Sequence, residues 1–249
     1  MEVHSHTHTE RKRLKHYLFE FFMLFLAVFC GFLAENQREH MVEHSREKRY
    51  MQSLYSDLKK DTAYINNYAA YLRFNYKRLD SIKNMINSRQ YISDPKNFYR
   101  LAFLSRSVLY FESHNSGYEQ LKSSGNLRLI RKKELADSLV DYYFTIQERV
   151  SGQESRYMQA TANVASTMWD ILDSKYIIND TLTDGSPSLT TSISDGAILG
   201  SANEEKILKY KNLCNEKMII VEFFRAIIMA LNKKATNLLL LVKDEYHFE

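Results

Sequence analysis

The sequence is short of the residues that break a chain into small pieces. Among 249 residues there are 7 Gly and 2 Pro, too few for a fold of many short strands joined by tight turns, and this shortage favours long helices. The 2 Cys, Cys30 and Cys214, form no zinc spacing, no CxxC redox pair and no disulfide framework. No phosphate-binding Gly loop and no nucleophile elbow occurs. Charge of one sign is not in large excess: 34 Lys and Arg face 30 Asp and Glu, a net +4, too little to mark a nucleic-acid binder. These absences lead us to expect no cofactor, no nucleic-acid partner and no enzymatic activity. What is present, 45% apolar and 26% charged residues, is the balance of an ordinary folded protein.

One long apolar run stands out. Tyr17 to Ala34, YLFEFFMLFLAVFCGFLA, contains a single charge, Glu20. At about 1.5 Å per residue such a helix covers roughly 27 Å, close to the roughly 30 Å of bilayer hydrocarbon. It lacks the polar face of a soluble core helix, so residues 17–34 are expected to span a membrane. A cleaved signal peptide needs a small-residue cleavage site. Here Phe32-Leu33-Ala34 puts a bulky Phe in the way, and Phe29 precedes Cys30 where a lipoprotein site wants a small residue. An uncleaved signal anchor fits better. Arg11, Lys12, Arg13 and Lys15 cluster before the span, whereas after it Arg38 stands apart from Arg46, Lys48 and Arg49. This clustering predicts a cytoplasmic tail at 1–16 and an extracytoplasmic part at 35–249, periplasmic in a diderm bacterium, with the span in the inner membrane.

Within the span, Glu20, Leu24, Ala27, Gly31 and Ala34 recur at steps of four and three. A stripe of small residues lets two membrane helices approach closely, and a carboxyl can hydrogen-bond across the contact. Glu20, Ala27, Gly31 and Ala34 are therefore the candidate membrane-helix contact face. The alternative for Glu20 is that it snorkels to the near surface beside His16.

Beyond the span, residues 36–89 hold no Gly or Pro. Met51, Leu58, Ile65, Leu72, Leu79 and Ile86 recur every seven residues, with a companion row of Leu54, Asp61, Tyr68, Asn75 and Ile82. The pattern predicts a long stalk helix, continuous with the span, with one narrow coiled-coil-like seam. Asp61 and Asn75 either set register or face a gap in a globular bundle. Asp94-Pro95 predicts a helix start, running to about Phe111, broken at 114–117, resumed as YEQLKSS and closed at Gly125. A third helix is expected from near Lys132 to Tyr176, with Leu135, Leu139, Tyr142, Tyr143, Ile146 and Val150 inward and Gly152 as a weak point. Residues 179–202, rich in Ser, Thr, Asp and Gly, read as a flexible loop. Asn203 caps a last helix reaching about Glu245, with Ile207, Cys214, Val221, Phe224, Ile228, Leu231, Leu238 and Val242 inward. Its apolar part, residues 218–231, is too short for a second span and is interrupted by Glu222 and Arg225. The expected fold is all-α: a transmembrane helix continuing into a stalk, and an up-down-up-down bundle. The Ser/Thr-rich loop would then lie at the membrane-distal tip and the C-terminus near the bilayer.

Three motifs invite chemistry. His40-Met41-Val42-Glu43-His44 matches H-x-x-E-H, where two His one turn apart hold zinc. Its neighbours Glu39, Arg46, Glu47 and Arg49 make it read instead as a charged helix surface, and nothing selects Glu119 as a third ligand, so no metal is assigned to His40 or His44. His4, His6 and His8 alternate in a polar tail without fixed supporting partners, and no metal is assigned to them either; the basic run that follows suits topology and anionic lipid. Lys122, Arg128, Arg131, Lys132 and Lys133 read as a solvated turn between helices. The 17 Tyr serve cores and interfaces alike, and none is singled out.

HYLFEFFMLFLAVFCGFLAENQREH, followed by REKRYMQSLYSDLKKD and later YEQLKSSGNLRLI, resembles a group of uncharacterised single-span membrane proteins of Bacteroidota, as does the N-terminal VHSHTHTERK. The resemblance covers the first 60 residues and, less closely, residues 118–130. It implies an inner-membrane protein with a helical extracytoplasmic part and carries over no activity and no site residues. Two readings follow: a membrane-anchored interaction or scaffold protein, pairing with itself or with another envelope protein, or a ligand-sensing module that signals through a partner, the 1–16 tail being too short to carry the signal itself.

Overall fold

The computed structural model describes residues 14–181, 187–199 and 203–248. His4, His6, His8 and the basic residues Arg11 to Arg13 lie outside them. The architecture is all-α: seven α-helices and one two-stranded sheet among the described residues. The first helix, α1 (Leu14–Asn87), runs unbroken through the apolar run and the heptad rows. By its contacts the chain divides into two units, Met1–Tyr50 and Met51–Glu249, and each is taken by itself.

The first unit contributes the N-terminal part of α1. This is the one described helix long and apolar enough to cross a membrane, and none of its apolar window is buried within the protein. Phe21, Phe25 and Phe29 stack in succession along one side, with ring centroids 6.5 and 5.8 Å apart.

In the second unit both heptad rows of α1 face inward. Met51, Leu54, Leu58, Asp61, Ile65, Tyr68, Leu72, Asn75, Leu79 and Ile82 are almost wholly shielded from solvent. The helix closes where Arg89 takes a left-handed backbone, φ 58°. A single turn, α2 (Gln90–Ser93), leads to α3 (Pro95–Leu104), which starts as expected, with Asp94 accepting from the Asn97 N–H.

Here the structure departs from the sequence reading. The helix ends at Leu104, seven residues before Phe111, and residues 105–115 form a strap without helix or strand, leading to α4 (Ser116–Ser123). Gly125 closes this limb with φ 68°, the left-handed geometry that glycine takes without strain. The third limb is α5 (Lys133–Phe144), a π-helical turn Thr145–Val150, and α6 (Ser151–Met168). It stops eight residues short of the expected Tyr176. The wide π turn puts Thr145 in the buried position and leaves Ile146, expected inward, only half-buried. Gly152 does not break the helix.

The stretch read as a loop is in part an antiparallel hairpin, β1 (Ile177–Thr181) with β2 (Pro187–Ile193), in register Ile177 to Ile193 with a bulge near Asn179. Ser and Thr suit turns in isolation. The β-branched runs Ile177-Ile178 and Thr190-Thr191 favour strands instead. Asn203 then accepts from the Lys206 N–H and opens α7 (Glu204–Tyr246), whose expected inward stripe is buried throughout.

The limbs alternate in direction. Asp61 meets Tyr142 and Asn75 meets Tyr157, so α5 and α6 run parallel to α1. Asn87 meets Lys211 and Tyr55 packs on Phe248, so α7 runs back. The up-down-up-down path is thus present, with a second limb that is only partly helical.

Two glycines test this packing. A Cβ on Gly117 would sit 3.0 Å from the Leu54 backbone nitrogen and 3.2 Å from Asp57 Oδ2, whereas one on Gly152 meets nothing within 4 Å. Gly117→Ala should cost about 1–3 kcal/mol by overpacking, and Gly152→Ala should gain roughly 0.5–1 kcal/mol by helix propensity. Denaturant titration of the full chain in detergent, followed by circular dichroism, checks both signs.

Candidate functional site

Asp57, Asp61, Tyr64, Tyr68, Tyr71, Asn75 and Arg78 follow one another at steps of four and three, which sets them along one side of α1. The strap runs back along this seam. A main chain with no helix or sheet around it leaves its N–H and C=O groups to find other partners, and here side chains supply them. Arg78 donates to the Leu104 carbonyl at 2.6 Å, Tyr71 to Ser107 at 3.1 Å, Tyr68 to Leu109 at 3.0 Å and Tyr64 to Tyr110 at 2.7 Å. The Tyr64 hydroxyl also accepts from the Glu112 N–H, and Glu154 from Phe111 N–H at 2.6 Å. Phe111 itself sets its ring edge-on to Tyr64 and Tyr68, 5.7 and 5.4 Å away.

The far end of the strap is held by the two carboxylates. Asp61 is fully buried and accepts from the His114 N–H at 2.6 Å, from Tyr142 Oη at 2.8 Å, and meets His114 Nδ1 at 2.9 Å. Burial raises its pKa, and the three hydrogen bonds pull against that rise. Asp57 accepts from the Gly117 N–H and from Ser116 Oγ, fastening the start of α4. Burial, together with the nearby Asp61, pushes the hydroxyls of Tyr142 and Tyr143 far above the ordinary tyrosine range, so both act as donors; Tyr143 donates to the His114 carbonyl.

The near end is held by cations. Lys217, on α7, is 1% exposed, donates to the Ser105 carbonyl at 2.5 Å and lies over the Tyr157 ring at 5.2 Å. Leu104 and Ser105 end α3, where carbonyls have run out of helical partners and a positive charge complements the helix dipole. Burial pulls the Lys217 pKa down to about 7, and pushes that of Cys214, one turn away, up to about 12. Arg78 is also held below its usual range by burial.

On the surface, Ile219 and Phe223 of α7 are exposed beside a groove of about 500 Å³ lined also by Tyr76, Met218, Glu222 and Ala226. In the first unit, Glu20, Ala27, Gly31 and Ala34 share one side of α1. Glu20 pairs with His16 at 3.1 Å, and the space about Gly31 is open. His44 bonds to Glu47 at 3.3 Å, and among the described residues no group of three or more His, Cys, Asp or Glu is placed to hold a metal. In the basic turn, Lys132 pairs with Glu245 and Lys122 lies near the Tyr118 ring.

The sequence reading places Asp61, Tyr68 and Asn75 in one heptad row and does not join them to Asp57, Tyr64, Tyr71 and Arg78. The four-three spacing of the polar residues from Asp57 to Arg78 was the available signal. Nothing in it identified the strap as the occupant. No protein-family model, no curated protein and no solved structure matches the chain.

Tyr142→Phe removes one donor from Asp61 and should cost about 1 kcal/mol, whereas Asp61→Ala strands several buried donors and should cost roughly 3 kcal/mol or more. Urea midpoints of the two variants, in the full chain, measure the difference.

Proposed function

We propose that this protein is a single-span anchor of the inner membrane carrying an extracytoplasmic helical interaction module, with no catalytic role. The carrying observation is the apolar window of α1, none of which is buried; uncovered apolar surface of that length and composition is stable in lipid. The charge clustering before it supports a cytoplasmic N-terminus, and the resemblance to Bacteroidota single-span proteins agrees. The exposed Ile219 and Phe223 beside their groove support a binding role for the module, since exposed apolar patches mark contact surfaces. The small-residue face Glu20, Ala27, Gly31 and Ala34 supports self-association within the membrane. A sensing role is the second reading, favoured by the strap, a segment held by side chains and therefore able to be released without unwinding a helix.

Native Cys214 cannot report topology, because it is fully buried. A Cys30→Ala, Cys214→Ala chain carrying Glu134→Cys at an exposed position should fractionate with membranes and label with an impermeant maleimide in intact cells. Recovery in the soluble fraction would overturn the anchor, and labelling only after lysis would reverse the orientation. Gly31→Leu should lower self-association in a membrane two-hybrid assay by several-fold, and Phe223→Glu should leave that assay unchanged while releasing any protein that co-purifies in mild detergent.

A further inference from the structure

We propose that Lys217 is a proton-linked latch on the strap: residues 105–115 close more tightly onto the α1 seam when this buried amine is neutral. The inference goes beyond the anchoring and interaction roles and requires neither.

The geometry carries it. Lys217 Nζ is the donor to the Ser105 carbonyl, the first peptide group of the strap. A neutral amine keeps its N–H donors, so the bond survives deprotonation while the charge does not. The surroundings offer that charge no counter-ion. From α1 come Arg78, itself a cation bonded to Leu104 O and Asn75, and Tyr71, bonded to Ser107 O. From α6 comes Tyr157, whose ring faces Lys217 and whose hydroxyl also donates to Ser107 O, and Glu154, which is bonded to the Phe111 N–H. From α7 come Cys214 and Tyr210, both fully buried, and Tyr210 is within 3.4 Å of Ser105 Oγ. Among the described residues no carboxylate pairs with Lys217. An ammonium in such a place keeps only a carbonyl and a ring face, which do not replace its lost water. Freeing the strap would let water reach it.

The sign follows from linkage. In the closed state the amine gives up its proton near pH 7, whereas in an open, solvated state it would do so near the ordinary lysine value of about 10.4. Between these values the open state binds the extra proton, so closure gains as pH rises, up to about tenfold per pH unit, and is flat below about pH 7. Cys214 acts in the opposite sense, because a solvated thiol ionises from about pH 8.5 while the buried one does not; it cannot produce tightening. His114 lies at the other end of the strap, on Asp61, and does not touch Lys217. The window from about pH 7 to about pH 8.5 isolates Lys217.

Hydrogen exchange of the full chain in detergent micelles, corrected for intrinsic amide chemistry, reads the strap directly. Protection of peptides covering 105–113 should rise at least about fivefold across that window in the wild type and in Cys214→Ala, and less than about twofold in Lys217→Met and Lys217→Gln. Peptides from the middle of α7 should show no such slope. A flat wild-type profile overturns the latch without any variant, as does a wild-type slope kept by either Lys217 variant or lost in Cys214→Ala.

Discussion

The structure of the second unit depends on one constraint: a main chain crossing a helical bundle must have its polar groups satisfied, and α1 does this with side chains. Three tyrosine hydroxyls, an arginine and two carboxylates, set at helical four-three spacing, take up carbonyls and N–H groups of residues 104–117. Each such bond contributes only about 1 kcal/mol net. At the buried members Asp57, Asp61 and Tyr68, losing a partner leaves a group without water, which costs more. The same row therefore sets where α3 can stop, where α4 can begin and which side of α5 and α6 faces inward.

The seam is unevenly charged along its length. Carboxylates lie at the end nearest Met51, where backbone N–H groups turn toward α1, and cations lie near the end of α3, where carbonyls do. This ordering matches donors to acceptors and complements the helix α3 dipole. It also places Lys217 near Arg78 with no carboxylate paired to it among the described residues, a cost carried at the edge of an otherwise apolar core of Leu, Ile and aromatic side chains. The buried tyrosines avoid such a cost, because burial suppresses their ionisation and leaves neutral donors.

Much of this was legible beforehand. The heptad rows of α1, the Asp94-Pro95 start, the Gly125 stop and the α7 stripe follow from local rules of periodicity and capping, which act within a few residues. The end of α3, the π turn and the hairpin were not legible, for a shared reason. Residues 108–111 carry apolar side chains compatible with a helix, yet Arg78, Lys217 and three tyrosines of α1 bind carbonyls between Leu104 and Tyr110 and compete with the helical bonds. Ser and Thr near 190 suit a turn in isolation and a strand once a partner lies beside them. Among the candidate site residues, Glu20, Ala27, Gly31 and Ala34 share a side of α1 as their spacing requires, whereas the heptad pattern reaches only Asp61, Tyr68 and Asn75 of the strap seam.

The sequence by itself determined the all-α class, the apolar run able to cross a bilayer and the alternation of long limbs, because each is a matter of local hydropathy and period. Only the tertiary structure decided what the polar row on α1 is for. A tyrosine hydroxyl takes its meaning from the carbonyl opposite it, and a lysine on α7 becomes a buried amine only when a helix end from elsewhere in the chain closes over it.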